Sequence, residues 1–365
     1  MLRPRIAAIA SAFPETRWNT AELLDATCHL MSDRLAAAVT RLGVDNRYSV
    51  LANLTDVLAK GADPEVRETA LALTARAVRR CGDRADRDPA SIGLVIAVTS
   101  SPGRLMPNLV CDLFAALPWI PRRAMSLGLT YMGCSVQAKA IDTAGWFLSV
   151  HPQSSVLVCF TESHTPLMPP LKPWTAHFTE GGHPQDVTDV INAFLFGDAA
   201  VAMLLTADGN GPTFGPVTHL TNELPDDAEL GTIPEGGSDV PVINGRRTNA
   251  RSANVPARGL HYAKTTVNEL LARPDYQISA PNQAESLLMH TGSARILDGL
   301  CAEFDVPTDS PKVAESYRVL REYGNTSGCS VPLMIDSPAG LPSGENLVVA
   351  FGISFAAGAT TLRVP

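Results

Sequence analysis

Apolar residues in this 365-residue chain gather into short unbroken runs rather than alternating with polar ones. Runs rich in Val, Ile and Leu occupy residues 92–99, 155–160, 200–205, 287–290 and 347–351. A strand with one wet face shows a polar residue at every second position, so unbroken runs predict a sheet covered by helices on both faces. Helical spacing of apolar positions predicts helices over 65–80, 108–117, 136–150, 265–271, 294–303 and 312–323. Together these make an α/β fold. At the N-terminus, the apolar run 6–13 ends at Pro14 and predicts a first strand, then a turn and a helix capped by Asn19 or Thr20. Basic residues precede that run as in a secretory leader, but the run is too short for one. Residues 166–189 and 208–256 are rich in Pro, Gly, Asn, Thr and Asp, and are expected to be surface excursions or hairpins.

Composition narrows the function. Hydrophobic residues make up 45% and charged residues 18%, ordinary for a globular enzyme of one large domain or two intimately packed halves. A net charge of -8 and arginines scattered without tracts argue against a nucleic-acid partner. No apolar run approaches the ~20 residues of a membrane span. Seven cysteines form no CxxC pair, and their odd number suits a reducing, cytoplasmic compartment.

Three residues carry candidate chemistry. Cys134 follows Gly133 and precedes the predicted helix 136–150; His290 ends a predicted strand; Asn325 lies in the turn sequence REYGNTSGCSVP. A thiol attacks a carbonyl as its thiolate, which a helix N-terminus and a nearby imidazole both favour. Taken singly, each has a plain alternative: a packed core cysteine, a structural histidine at a strand end, a turn asparagine. Cys159, Cys301 and Cys329 read as small packing residues. His177, His183, Asp186 and Asp189 match no standard metal-ligand spacing and read as a solvated loop.

The surroundings of the three residues resemble one family throughout, the chalcone-synthase-like type III polyketide synthases. The resemblance rests on TYMGCSVQA around Cys134, NAFLFGDAAVAMLL at 192–205, HTGSARILDGL from His290 and VLREYGNTSGCSVPLMID from Val319. PRIAAIASAFPE, VTSSPGRLMP, SVLVCFTES and the closing FGISFAAGATTLRV support it, so the coverage runs from about residue 4 to the end. The resemblance implies a thiolase fold with two related α/β halves, 1–206 and 207–365, packed as a five-layered αβαβα core in a homodimer. It makes Cys134 the nucleophile, with His290 and Asn325 as its partners. It places Phe196 between an access tunnel and the cavity, with Tyr262 as a second such aromatic, or His261 if the alignment slips by one. Met106 is implied to reach across the dimer interface. Acyl-CoA, malonyl-CoA or acyl carrier protein thioesters are the implied partners, and no cofactor or metal is implied, because a thioester itself acidifies its α-carbon.

The departures from the family bear on the substrate. Thr291-Gly292-Ser293 replaces a proline and paired glycines, and Gly352-Ile353-Ser354 replaces a Gly-Pro-Gly loop. Bulkier Ile353 and Ser354 are expected to narrow the cavity, since interiors have little spare room. Ser135, Val136, Gln137 and Ala199 also replace smaller residues. Arg34 and Arg41 are the basic residues left to meet coenzyme A phosphates, interrupted by Asp45-Asn46. The resemblance implies decarboxylative condensation, while the altered loops favour the alternatives within the fold over an ordinary chalcone synthase. The alternatives are a single-condensation synthase III, an ester- or amide-forming acyltransferase, a catalytically silent subunit and, remotely, a papain-like protease, which shares the Cys, His, Asn chain order.

Overall fold

The computed structural model describes residues 2–171, 184–233, 250–274, 276 and 278–365. His177 and His183 lie outside the described residues. In chain order the strands are β1 (Arg5–Ala12), β2 (Thr16–Asn19), β3 (Asn46–Ser49), β4 (Ile92–Thr99), β5 (Met125–Thr130), β6 (Ser155–Glu162), β7 (Ala199–Thr206), β8 (Thr213–Phe214), β9 (Thr218–Thr221), β10 (Gly231–Thr232), β11 (Ala250–Arg251), β12 (Leu287–Met289), β13 (Gly344–Gly352) and β14 (Ala356–Val364). The helices are α1 (Thr20–Thr27), α2 (Asp33–Thr40), α3 (Leu54–Lys60), α4 (Ala70–Arg84), α5 (Leu109–Ala116), α6 (Val136–Val150), α7 (Pro184–Leu195), α8 (Val255–Leu271), α9 (Ala294–Glu303), α10 (Ala314–Tyr323) and α11 (Ser330–Ile335).

Strand β8 pairs with both β1 and β14. It joins β7, β6, β4 and β5 on the far side of β1 to β13 and β12 on the far side of β14. Every strand on the β1 side comes from residues 5–206, and every strand on the β14 side from later residues. Successive residues of one strand point to opposite faces, and here each face meets a different set of helices. Leu94, Ile96 and Val98 pack with Val136, Ala140 and Ala144 of α6, while Val95 and Ala97 pack with Leu73 and Val78 of α4 and Leu113 of α5. In β13, Val348 and Ala350 face that same central layer, joined there by Val319 of α10 and Leu333 of α11. Leu347 and Val349 turn instead to Val267 of α8 and Leu297 of α9. Five layers result: α4 with α5, strands, α6 with α10 and α11, strands, and α8 with α9.

Local signals placed several ends. Asn19 caps α1, accepting from Ala21 N at 2.8 Å, while Glu22 accepts from Asn19 N at 3.0 Å. Helices α6 and α9 span the residues expected of them. The structure corrects other expectations. Strand β5 went unread because it is an edge strand with a largely exposed, mixed sequence, MSLGLT. Residues 184–189 belong to helix α7, and 213–221 supply β8 and β9, which pair with the large sheet instead of looping out. Helix α8 begins at Val255, with Pro256 in its first turn, well before residue 265. Among the described residues, no helix is long and apolar enough to cross a membrane.

Candidate active site

The chain leaves β5 through a turn in which Tyr131 has φ 60 and Gly133 φ 69, and Cys134 then stands just before α6. Position 133 admits only glycine, because a Cβ there would fall on the carbonyl oxygen of Ile353. The loop after β13 thus presses directly on the cysteine loop. Ser354 also adopts φ 70, and its hydroxyl donates to the Tyr131 carbonyl at 2.9 Å. A conformation that favours glycine is here taken by a serine whose side chain ties the two loops together.

Cys134 Sγ lies 3.4 Å from Ser327 Oγ. Asn325 is held from several directions: its N–H donates to Leu195 O at 2.8 Å, its carbonyl accepts from Gly197 N at 3.3 Å, and its Oδ1 accepts from Ser327 N at 2.8 Å. With Oδ1 engaged by the backbone, the amide NH2 is the end left for a ligand. His290 follows β12, donates from its backbone to Val349 O at 3.0 Å and is 3% exposed. Cys134, His290 and Asn325 line one cavity of about 350 Å³. Phe196 and Ile353 line it as well, along with apolar Leu105, Leu167, Met168 and Phe351. A mostly apolar pocket of a few hundred Å³ with a few convergent polar groups has the character of a small-molecule site.

Tyr262 and Ser354, expected in the pocket, stand elsewhere. Tyr262 is 1% exposed and is not among the described lining residues. Its hydroxyl donates to Asp227 Oδ2 at 2.6 Å, its ring meets Phe355 edge-on, and it fastens residues 223–232 to α8. The alternative, His261, contacts Glu223 at 2.7 Å on the surface. Met106 is 86% exposed beside the lining residues Arg104 and Leu105. Ser354 acts through Tyr131 rather than as a wall. Arg34 and Arg41 are exposed, on and just after α2.

Three further groups at the site carry no clear signal in the sequence. His164 and Ser327 line the cavity and Glu162 lies behind His164; the sequence marks Glu162 and His164 only as polar residues closing an apolar strand in SVLVCFTESH. Asp198 accepts from Val50 N, Thr165 N and Thr165 Oγ1 and organises three loops, although burial pushes its carboxyl up. Burial also pushes the Cys81 thiol up to about 12 and raises Cys159 and Cys329, which suits packing and not attack.

No family model matches the chain. Among solved structures it is similar to the C-terminal type III polyketide synthase domain of Steely1, a type I/III hybrid from Dictyostelium, with a TM-score of 0.80, 18% identity and 99% of each chain covered. It is similar to a 3-oxoacyl-(acyl-carrier-protein) synthase III, with a TM-score of 0.75, 20% identity and 99% of each chain covered. PKS-I from the brown alga Ectocarpus siliculosus gives 0.77 and 18%, covering 100% of this chain and 99% of its own. The chain therefore has the thiolase fold of the type III polyketide synthase and 3-oxoacyl synthase III structures.

Proposed function

We propose that this protein is a condensing acyltransferase. In this reading Cys134 accepts an acyl group from a coenzyme A or carrier-protein thioester and extends it by decarboxylative condensation with a malonyl-type thioester. The observation that supports it best is the meeting of Cys134, His290 and Asn325, three buried residues from distant segments, in one mainly apolar cavity. Loss of carbon dioxide from the malonyl unit leaves an enolate, whose developing negative oxygen needs fixed donors in a dry site. The His290 imidazole and the Asn325 amide NH2 are suited to that task. The carbanion then attacks the carbonyl carbon on Cys134, a new carbon–carbon bond forms, and the thiolate leaves.

Single substitutions separate the half-reactions. Cys134→Ala is expected to abolish the acyl adduct and all condensation while retaining slow decarboxylation. Asn325→Ala is expected to keep adduct formation, read by intact mass, while release of labelled carbon dioxide falls roughly 10²- to 10³-fold. Decarboxylation at the parent rate in folded Asn325→Ala would show that Asn325 serves only its turn. A simple ester- or amide-forming acyltransferase is the second reading, favoured by Ile353, whose side chain takes up cavity space. A parent that loads acyl groups but releases no carbon dioxide selects it.

The reading includes a homodimer. Among the described residues, strand β5 ends the large sheet with an unpaired edge and an exposed Met125, the kind of edge that a second copy covers.

A further inference from the structure

One wall of the cavity carries a second imidazole that the condensation chemistry leaves unused. His164 lies two residues beyond β6, lines the same cavity as Cys134, and has a side chain only 10% exposed. Its ring centroid is 4.6 Å from that of Phe196. Behind it, Glu162 Oε2 lies 3.2 Å from Nε2, on a side chain 1% exposed. Three donors hold that carboxylate: Ser100 N at 3.0 Å, Ser101 Oγ at 2.7 Å and Gly328 N at 3.3 Å. The Nε2–H is not aligned on the carboxylate. Catalytic hydrogen bonds are often loose without ligand and tighten when one binds. A carboxylate beside one ring nitrogen selects the tautomer and leaves the other nitrogen for a ligand.

A second observation comes from the neighbouring helix. Asn192 of α7 is 3% exposed and lines the cavity, and its buried Oδ1 has no hydrogen-bond partner among the described residues. Buried polar atoms are nearly always bonded, so an acceptor left open beside a cavity calls for a donor from the ligand. A hydrocarbon chain has none; water, a primary amine or a diol has two, one for Asn192 Oδ1 and one for a base.

We infer that this corner is the subsite of a protic acyl acceptor that takes the acyl chain from Cys134, with His164 as general base and Asn192 Oδ1 as anchor. The inference rests on the reading that Cys134 carries the chain. With one O–H or N–H of the acceptor donated to Asn192 Oδ1, His164 removes a second such proton, from the attacking atom, and the freed electron pair bonds to the thioester carbon. The carbon–sulfur bond breaks, its electrons leave on the Cys134 sulfur, and the proton on His164 returns to that thiolate. Thioester and acceptor thus give ester, amide or acid plus free thiol, with no change in oxidation state.

The test loads the protein with hexanoyl-CoA, removes the excess, and follows the adduct on Cys134 by intact mass in buffer alone, with ethylene glycol, and with n-propylamine. The product (acid, ester or amide) identifies the acceptor class. His164→Gln, followed on the fraction that carries the adduct, is expected to clear it about 10²-fold more slowly. His164→Ala is expected to recover clearance when imidazole is added, which a purely structural role would not allow. Asn192→Ala is expected to need more acceptor for the same rate. Clearance at the parent rate in His164→Gln, or failure of imidazole to restore His164→Ala while that variant still loads, overturns the inference. A parent that never acquires the adduct overturns the loading reading itself, and does so before any acceptor is added.

Discussion

Gly133 bears the sharpest steric demand in the site, combining a left-handed φ of 69 with the Ile353 carbonyl where a side chain would begin. Gly133→Ala is therefore expected to lower unfolding free energy by at least ~2 kcal/mol and to displace Cys134 from its cavity. Denaturant unfolding and the extent of Cys134 acylation check both effects. A variant with parent stability and full loading would mean that the loop after β13 gives way easily. The Gly133-Cys134 pair could be singled out from the sequence, because a glycine beside a cysteine before a helical pattern is a local signal. The serine at φ 70 could not: Ser354 owes its conformation to Tyr131, more than two hundred positions away in the chain, so only the fold reveals the bond between them. The same holds for Tyr262. Its type suits a cavity wall, yet Asp227 captures its hydroxyl and turns it into a fastener.

That fastening belongs to the element scale. Arg258 of α8 holds Asp227 through Nε at 3.0 Å and its terminal nitrogen at 2.6 Å, and reaches Glu223 at 2.9 Å. The segment it secures leads to Ile233, which lines the cavity together with Val255 at the start of α8. The Arg258 guanidinium, helped by the Tyr262 hydroxyl and opposed by burial, holds the Asp227 carboxyl well below its ordinary 3.8. The sign follows from linkage. A carboxylate depressed in the fold adds stability that is complete above its unfolded value and is lost as pH falls through the folded one. Asp227→Asn is accordingly expected to melt lower than the parent at neutral pH and to lose less Tm on acidification below about pH 4. Melting curves recorded across that range check this, and parallel curves for the two proteins would show that Asp227 contributes no ionic hold. Helix α8 is longer than its apolar spacing suggests, because Arg258 and His261 of its first turns serve this ionic cluster and interrupt the apolar repeat of Val255, Leu260 and Tyr262 that packs on the core. Periodicity reports only what is buried in apolar surroundings.

At the scale of the whole molecule, the large sheet of the described residues ends at β12 and β5; β12 is buried, whereas Met125 of β5 is 57% exposed. Sedimentation of the parent is expected to show a dimer, and Met125→Glu is expected to shift it toward monomer, since a charge on an edge strand opposes pairing. A parent that sediments as a monomer at micromolar concentration would remove the dimer from the proposal. The sequence alone determined the class and much of the layering: unbroken apolar runs require cover on both faces, and a 3.6-residue period places helices such as α6 and α9 to supply it. These are properties of neighbouring residues, so they can be read in order along the chain. Tertiary structure alone decided which polar residues meet. Cys134, His290 and Asn325 each had an ordinary structural reading, and the resemblance only implied their union; the fold brings them to one cavity by ending separate elements there. The corner of Glu162, His164 and Asn192 arises in the same way, from the end of β6 and one side of α7. A polar side chain takes its character from what surrounds it, and in a five-layered fold most of those surroundings come from residues remote in the chain.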